Sequence, residues 1–138
     1  MANAHSAAQR RYTWRVGAAM IGYVATLFLA EYLIGEGQVT GPLAYAVALL
    51  PGLCVASVFW ALALLLIDET DEYRRMLLAR QLLIASGITM TVATIYGFLE
   101  NFQLVPHIDA FWLAMLFFFS QGIGSLVNRV TLGDSGGC

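Results

Sequence analysis

The side chains with the clearest potential for chemistry are four ionisable residues near the ends of apolar segments. Glu31 and Glu100 lie late in such segments, and His107 and Asp109 come shortly before another one. Carboxylates and an imidazole can transfer protons or bind cations, and a carboxylate within lipid is costly unless it is protonated, paired or hydrated. The four residues are therefore a candidate ionisable cluster. The competing interpretation is that they mark the polar border of a membrane.

Other kinds of site are disfavoured by the same sequence. The spacing of His107, Asp109 and the scattered glutamates does not match the tight ligand spacing of zinc or calcium motifs. There is no Gly-x-Ser-x-Gly, His-Glu-x-x-His or P-loop motif, so we expect no catalytic residues, no metal and no cofactor. The net charge of −2 and the lack of a basic block mixed with aromatic residues argue against nucleic acid as a partner. The sequence thus favours a non-enzymatic protein.

The elements that must position the ionisable residues are apolar helices. Of the 138 residues, 59% are hydrophobic and 12% are charged, and the mean hydropathy is +0.73. A soluble domain of this size cannot bury so much apolar surface. A helix that crosses the roughly 30 Å hydrocarbon core of a bilayer needs about 20 apolar residues. Four segments approach or reach that length: 14–34, 42–67, 82–99 and 111–127.

The distribution of arginine predicts how these segments cross the membrane. The chain has seven arginines and no lysine: three lie at or before the start of the first segment, three lie in 68–81, and one follows the last segment. The loops 35–41 and 100–110 contain none. Because arginine and lysine stay on the cytoplasmic side, we expect an all-α, polytopic membrane protein with four transmembrane helices in an up-down-up-down bundle. Both termini are then cytoplasmic, with polar tails at 1–12 and 129–138, and the whole chain forms a single domain.

The polar segment before the third span carries a charge pattern typical of a helix start. Asp71 and Glu72 come first, where a helix N-terminus favours negative charge, and Arg75 follows within reach of either carboxylate. The third helix is therefore expected to begin before its apolar span. With the sequence Gly-Phe-Leu-Glu at 97–100, this Asp-Glu-x-x-Arg segment resembles that of small four-helix bacterial inner-membrane proteins. The resemblance covers 68–100 and implies no activity.

Small residues at four-residue spacing predict where helices pack closely. Lipid tails are as apolar as leucine, so transmembrane helices associate through close backbone approach and interhelical hydrogen bonds. The seams predicted from this spacing are Ala18, Gly22, Thr26 and Ala30 in the first helix and Ala85, Thr89, Ala93 and Gly97 in the third. In the fourth helix, the run 120–125, which contains Gly122 and Gly124, offers a similar seam. These seams would join helices one and three or join two copies of the chain. Gln121 is expected to form a hydrogen bond with another helix.

The second helix contains Pro51 and Gly52 near its middle. Pro51 cannot donate a hydrogen bond to the carbonyl of Val47, so a kink is expected there. Broken helices form binding sites in some transporters, but a plain structural kink is the simpler interpretation.

A short repeat raises the question of internal duplication. The sequence Val-Ala-Thr at 24–26 recurs at 92–94, and each copy is followed by a glutamate, a proline and another apolar span. A true duplication would make the chain two tandem helical hairpins, and three shared residues leave the question open.

Three functions from different classes remain open at this stage, and one of them, an intramembrane enzyme, has no specific sequence feature to support it. The first is a small integral protein, expected in the bacterial inner membrane, that acts by helix association, either as a homo-oligomer or as an accessory subunit of a larger membrane complex. It is suggested by the seams, the short loops and the lack of catalytic motifs. The alternative is a small oligomeric transporter or channel, coupled to protons or other cations, that uses Glu31 and Glu100.

Overall fold

The computed structural model describes residues 7–134, and this part of the chain is all α-helical. The prediction of the all-α class is confirmed. Each helix is long and apolar enough to cross a membrane. The four helices are α1 (Ala7–Gly35), α2 (Pro42–Asp68), α3 (Glu72–Asn101) and α4 (Phe111–Leu132).

The helix ends follow local sequence signals. Pro42 opens α2 after Gly41, whose φ of 72° suits a residue without a side chain. Asp71 caps α3 by accepting a hydrogen bond from the backbone N–H of Tyr73. Gly133 ends α4 in the left-handed conformation, with φ 74°. The third helix thus begins well before its apolar span, as predicted.

Two helices are longer than their apolar spans. The first helix starts at Ala7, inside the predicted tail 1–12, and α4 continues to Leu132, inside the predicted tail 129–138. The remaining parts of these tails, 1–6 and 135–138, lie outside the described residues.

The chain divides into two compact units, Met1–Glu69 and Thr70–Cys138. The first unit is a hairpin of α1 and α2, and the second is a hairpin of α3 and α4. The duplication that the Val-Ala-Thr repeat suggested stays a hypothesis.

In the first hairpin, α1 and α2 run antiparallel. Arg11 and Arg15, near the start of α1, lie 3.8 and 3.7 Å from the carboxylate of Asp68 at the end of α2. Farther along, the hydroxyl of Thr26 lies 3.9 Å from the sulfur of Cys54. Ion pairs at one end and a close contact farther along hold the two helices in register.

In the second hairpin, α3 and α4 pack through one face of each helix. Buried residues recur every fourth position on both helices, which places them on a single stripe. The stripe consists of Leu77, Gln81, Ala85 and Thr89 on α3, and Ser120, Gly124 and Asn128 on α4, and Leu78 is buried beside it. Polar and small residues thus form much of the α3 and α4 contact.

Most large apolar side chains point away from these contacts. Ile21, Leu83 and Phe119, for example, are each 74% exposed. An exterior of this kind is unusual for a soluble protein and suits lipid as the surrounding medium.

Candidate functional site

A groove runs along the loop end of the second hairpin, between α3 and α4. We call it the α3–α4 groove. Its volume is about 1000 Å³. Its walls are mainly apolar and include Ala93, Tyr96, Gly97, Trp112, Leu116 and Phe119.

Three ionisable side chains stand at the mouth of this groove. The Nδ1 atom of His107 lies 2.5 Å from Oε1 of Glu100, within hydrogen-bond distance. On the other side of the ring, Nε2 lies 3.9 Å from Oδ1 of Asp109. The imidazole therefore stands between two carboxylates, with the closer contact to Glu100.

This geometry favours the protonated form of His107. The hydrogen bond to Glu100 is the main cause that raises the pKa of His107 above its ordinary value of 6.5. The negative charge of Glu100 adds to it, desolvation opposes it, and the charge of Asp109 raises the pKa further. The protonated ring is a cation held against the Glu100 carboxylate at the mouth of the groove.

The loop between α3 and α4 positions the side chain of His107 beside that of Glu100. The hydroxyl of Tyr96, on α3, donates a hydrogen bond of 2.6 Å to the carbonyl of Pro106. Just after α3, Gln103 adopts a positive φ of 59°. The N–H of Leu104 donates a hydrogen bond of 2.9 Å to the carbonyl of Leu99, in the last turn of α3. The chain therefore reverses tightly, and His107 lies beside the last turn of α3.

The structure brings together part of the ionisable cluster that the sequence suggested. Glu100, His107 and Asp109 meet at the groove, while Glu31 is an exposed residue of α1, in the other hairpin. Among residues 7–134, no group of three or more His, Cys, Asp or Glu side chains could hold a metal ion.

A second polar feature lies between α3 and α4, near the ends of the two helices that are farther from the loop joining them. We call it the polar seam, and it consists of Gln81, Gln121, Asn128 and the carbonyl of Leu77. The side-chain amide of Gln81 donates a hydrogen bond of 3.0 Å to Gln121, so the bond expected of Gln121 is confirmed. The amide of Asn128 donates to the carbonyl of Leu77 at 2.9 Å. Sequence analysis missed Asn128 because it lies beyond the apolar span, although its four-residue spacing from Gly124 was a usable signal.

Helix α4 lies close to α3 at Gly124. A Cβ atom at this position would lie 2.8 Å from the backbone carbonyl oxygen of Gln81. At Gly122, also assigned to a seam, a Cβ atom would meet nothing within 4 Å. The close approach therefore depends on one glycine of the pair.

The predicted seam of α3 divides into two parts. Ala85 and Thr89 are buried in the second hairpin. Ala93 and Gly97 line the α3–α4 groove instead, and a Cβ atom on Gly97 would meet nothing within 4 Å.

The predicted seam of α1 divides in a similar way. Gly22 and Thr26 face α2, where a Cβ atom on Gly22 would lie 3.4 Å from the sulfur of Cys54. Ala30 is buried. By contrast, Ala18 is exposed beside Gly17 in a second groove, of about 930 Å³, along the first half of α1.

Pro51 lies inside α2, which is continuous from Pro42 to Asp68. A Cβ atom on Gly52 would meet nothing within 4 Å. The predicted kink stays a prediction.

No family model, curated protein or solved structure matches this chain. The candidate sites therefore rest on geometry and chemistry.

Proposed function

We propose that this chain is a multi-pass protein of the bacterial inner membrane, with four transmembrane helices in alternating directions and both termini in the cytoplasm. Four helices of sufficient length and apolarity support insertion, as does their apolar exterior. The orientation is supported by arginine, which is lacking in both loops that join the helices within a hairpin.

Within that membrane, the protein acts by association, either with further copies of itself or with a larger membrane complex, and it is not an enzyme. The observation that carries this proposal is the groove along the first half of α1. Gly17 and Ala18 form its floor, and Thr13 and Ile21 lie one turn to either side. A Cβ atom on Gly17 would meet nothing within 4 Å, so the backbone of another helix can approach there.

Site-specific photocrosslinking in native membranes tests the association. A photoreactive residue replaces Ala18 in the groove, and a matched variant carries the same residue at Phe28, which is on the same helix and 67% exposed. We expect one discrete protein adduct from position 18, because a partner helix packs there, and lipid adducts from position 28. Equal protein crosslinking from both positions would contradict the proposal.

A second candidate function is an oligomeric transporter or channel, coupled to protons or other cations, that uses Glu31 and Glu100. The α3–α4 groove favours it, because this groove extends from a carboxylate at its mouth to Val92 and Phe119. The eight-residue separation from Glu100 to Val92 corresponds to about 12 Å along the helix axis, well into the apolar span.

Reconstituted vesicles with an internal pH indicator test this candidate. Glu100→Gln and Glu31→Gln should abolish proton or cation flux that the wild-type chain supports. Glu36→Gln is the control, because Glu36 is an exposed loop carboxylate whose contact is with the neighbouring Gln38. Flux that survives both Glu31→Gln and Glu100→Gln would show that these carboxylates are not required, and a lack of flux in the wild-type chain would exclude the transport function.

A further inference from the structure

We propose that the α3–α4 groove binds an amphipathic organic cation, whose charged group replaces the His107 ring at the Glu100 carboxylate. The inference rests on the second candidate function and names the class of ligand for its site.

The size and walls of the groove suit a ligand of this class. Its volume of about 1000 Å³ accommodates a drug-sized organic molecule. Tyr96, Trp112 and Phe119 contribute aromatic surface to its walls, and aromatic rings attract cations as well as apolar groups. At Ala93 and Gly97 the α3 wall of the groove carries no large side chain, so a bulky ligand can lie against the backbone of α3.

The charges around the groove select a cation. Glu100 and Asp109 are acidic, and none of the described side chains that line the groove is arginine or lysine. An anionic ligand would meet two carboxylates with a single imidazole to offset them. A bare metal ion needs several oxygen ligands, and no group of three or more candidate His, Cys, Asp or Glu ligands occurs among residues 7–134.

His107 shows what such a cation would contact. Its ring lies 2.5 Å from Glu100, and its side chain is 75% exposed, so it can turn away without disrupting a core. The ionisable groups that face it within the hairpin are Glu100, Asp109 and the phenol of Tyr96. A ligand cation competes with protonated His107 for Glu100, and the displaced ring can release its proton to water.

This competition sets the sign of the pH dependence. Because Glu100 raises the pKa of His107, the ring competes for Glu100 while it is protonated and stops competing once it loses its proton. The affinity for an organic cation should therefore rise with pH.

Equilibrium dialysis with tetraphenylphosphonium tests the proposal. The full chain is placed in phosphatidylcholine nanodiscs, and empty nanodiscs report partition into lipid. Tetraphenylborate, an anion of nearly the same size and shape, is the matched control. We expect saturable binding of the phosphonium, weaker binding of the borate, and phosphonium affinity that increases from about pH 6 to about pH 8.

Three variants assign the binding to the groove. Glu100→Gln should weaken binding by about tenfold or more, whereas Glu36→Gln, in the other hairpin loop, should leave it unchanged. His107→Ala should bind more tightly than wild type at about pH 6 and should lose most of the pH dependence. Misfolding can explain a loss of binding in Glu100→Gln, but it cannot explain a gain of affinity in His107→Ala. The second variant therefore distinguishes competition by His107 from a folding defect.

Equal binding of phosphonium and borate, or equal affinities of Glu100→Gln and Glu36→Gln, would overturn the proposal. If the phosphonium does not bind but Glu100-dependent flux of protons or inorganic cations is present, the ligand class is wrong and the transport function stands. If both binding and flux are lacking, both proposals fail.

Discussion

The side-chain amide of Asn128 on α4 donates a hydrogen bond of 2.9 Å to the backbone carbonyl oxygen of Leu77 on α3. Both residues are fully buried. In a membrane, such a bond ties two helices together where apolar contacts with lipid and with protein are nearly equivalent. The polar seam thus contributes to the stability of the second hairpin.

Replacing Asn128 should weaken this hairpin. Asn128→Leu keeps the branching and the number of side-chain heavy atoms but removes the donor, and we expect a loss of about 1 kcal/mol in the free energy of unfolding. Ser120→Ala is the matched control, because Ser120 is equally buried on the same face and its hydroxyl has no hydrogen-bond partner among the described residues. It should leave stability unchanged or raise it. Unfolding in mixed micelles measures both variants, and a larger loss for Ser120→Ala would contradict the account.

Two neighbouring glycines of α4 should respond in opposite ways to the same substitution. Gly124→Ala should cost about 1 to 3 kcal/mol, because its Cβ atom would lie 2.8 Å from the carbonyl oxygen of Gln81, a backbone atom that cannot move freely. Gly122→Ala places its methyl group in open space and should be neutral or slightly stabilising, since alanine favours helix. The same unfolding assay compares them. Equal effects would show that α3 and α4 do not pack through Gly124.

The contact between His107 and Glu100 predicts a pH dependence of stability. Because the folded-state pKa of His107 is raised above 6.5, its stabilising contribution is fully present below that pH and is lost as pH rises through the folded pKa. The wild-type chain should therefore lose stability as pH rises from about 6.5 through the raised pKa of His107. His107→Gln should lack this loss. NMR titration of the imidazole checks the pKa itself, and a His107 pKa that does not fall in Glu100→Gln would rule out this pairing.

Sequence patterns predicted the helices well because length and apolarity determine both helix formation and membrane compatibility. The ends were less accurate for a physical reason. At the start of α1 and the end of α4, polar residues such as Arg10 and Asn128 continue the helix beyond the apolar span. Hydropathy locates the part of a helix that suits lipid, whereas hydrogen bonds and caps determine where it ends.

The candidate sites were less predictable because they depend on which surfaces meet. Small residues identified Gly97 and Gly124 alike as places where a helix can approach, but only the structure shows that α3 contacts Gly124 while Gly97 lines a groove. A role for Gly97 in packing against another chain stays a prediction. In the same way, the sequence grouped Glu100 with His107, but the contact depends on the turn at Gln103, whose positive φ has no strong sequence signal.

Topology mapping tests the central claim, a four-span protein with both ends in the cytoplasm, most directly. Paired phosphatase and fluorescent-protein fusions are placed after Gly41 and Ala110, in the loops that lack arginine, and after Glu69 and Gly133. The account predicts that the first two sites report an external location and the last two a cytoplasmic one. A cytoplasmic signal at Gly41 or Ala110, or an external one at Glu69 or Gly133, would contradict it.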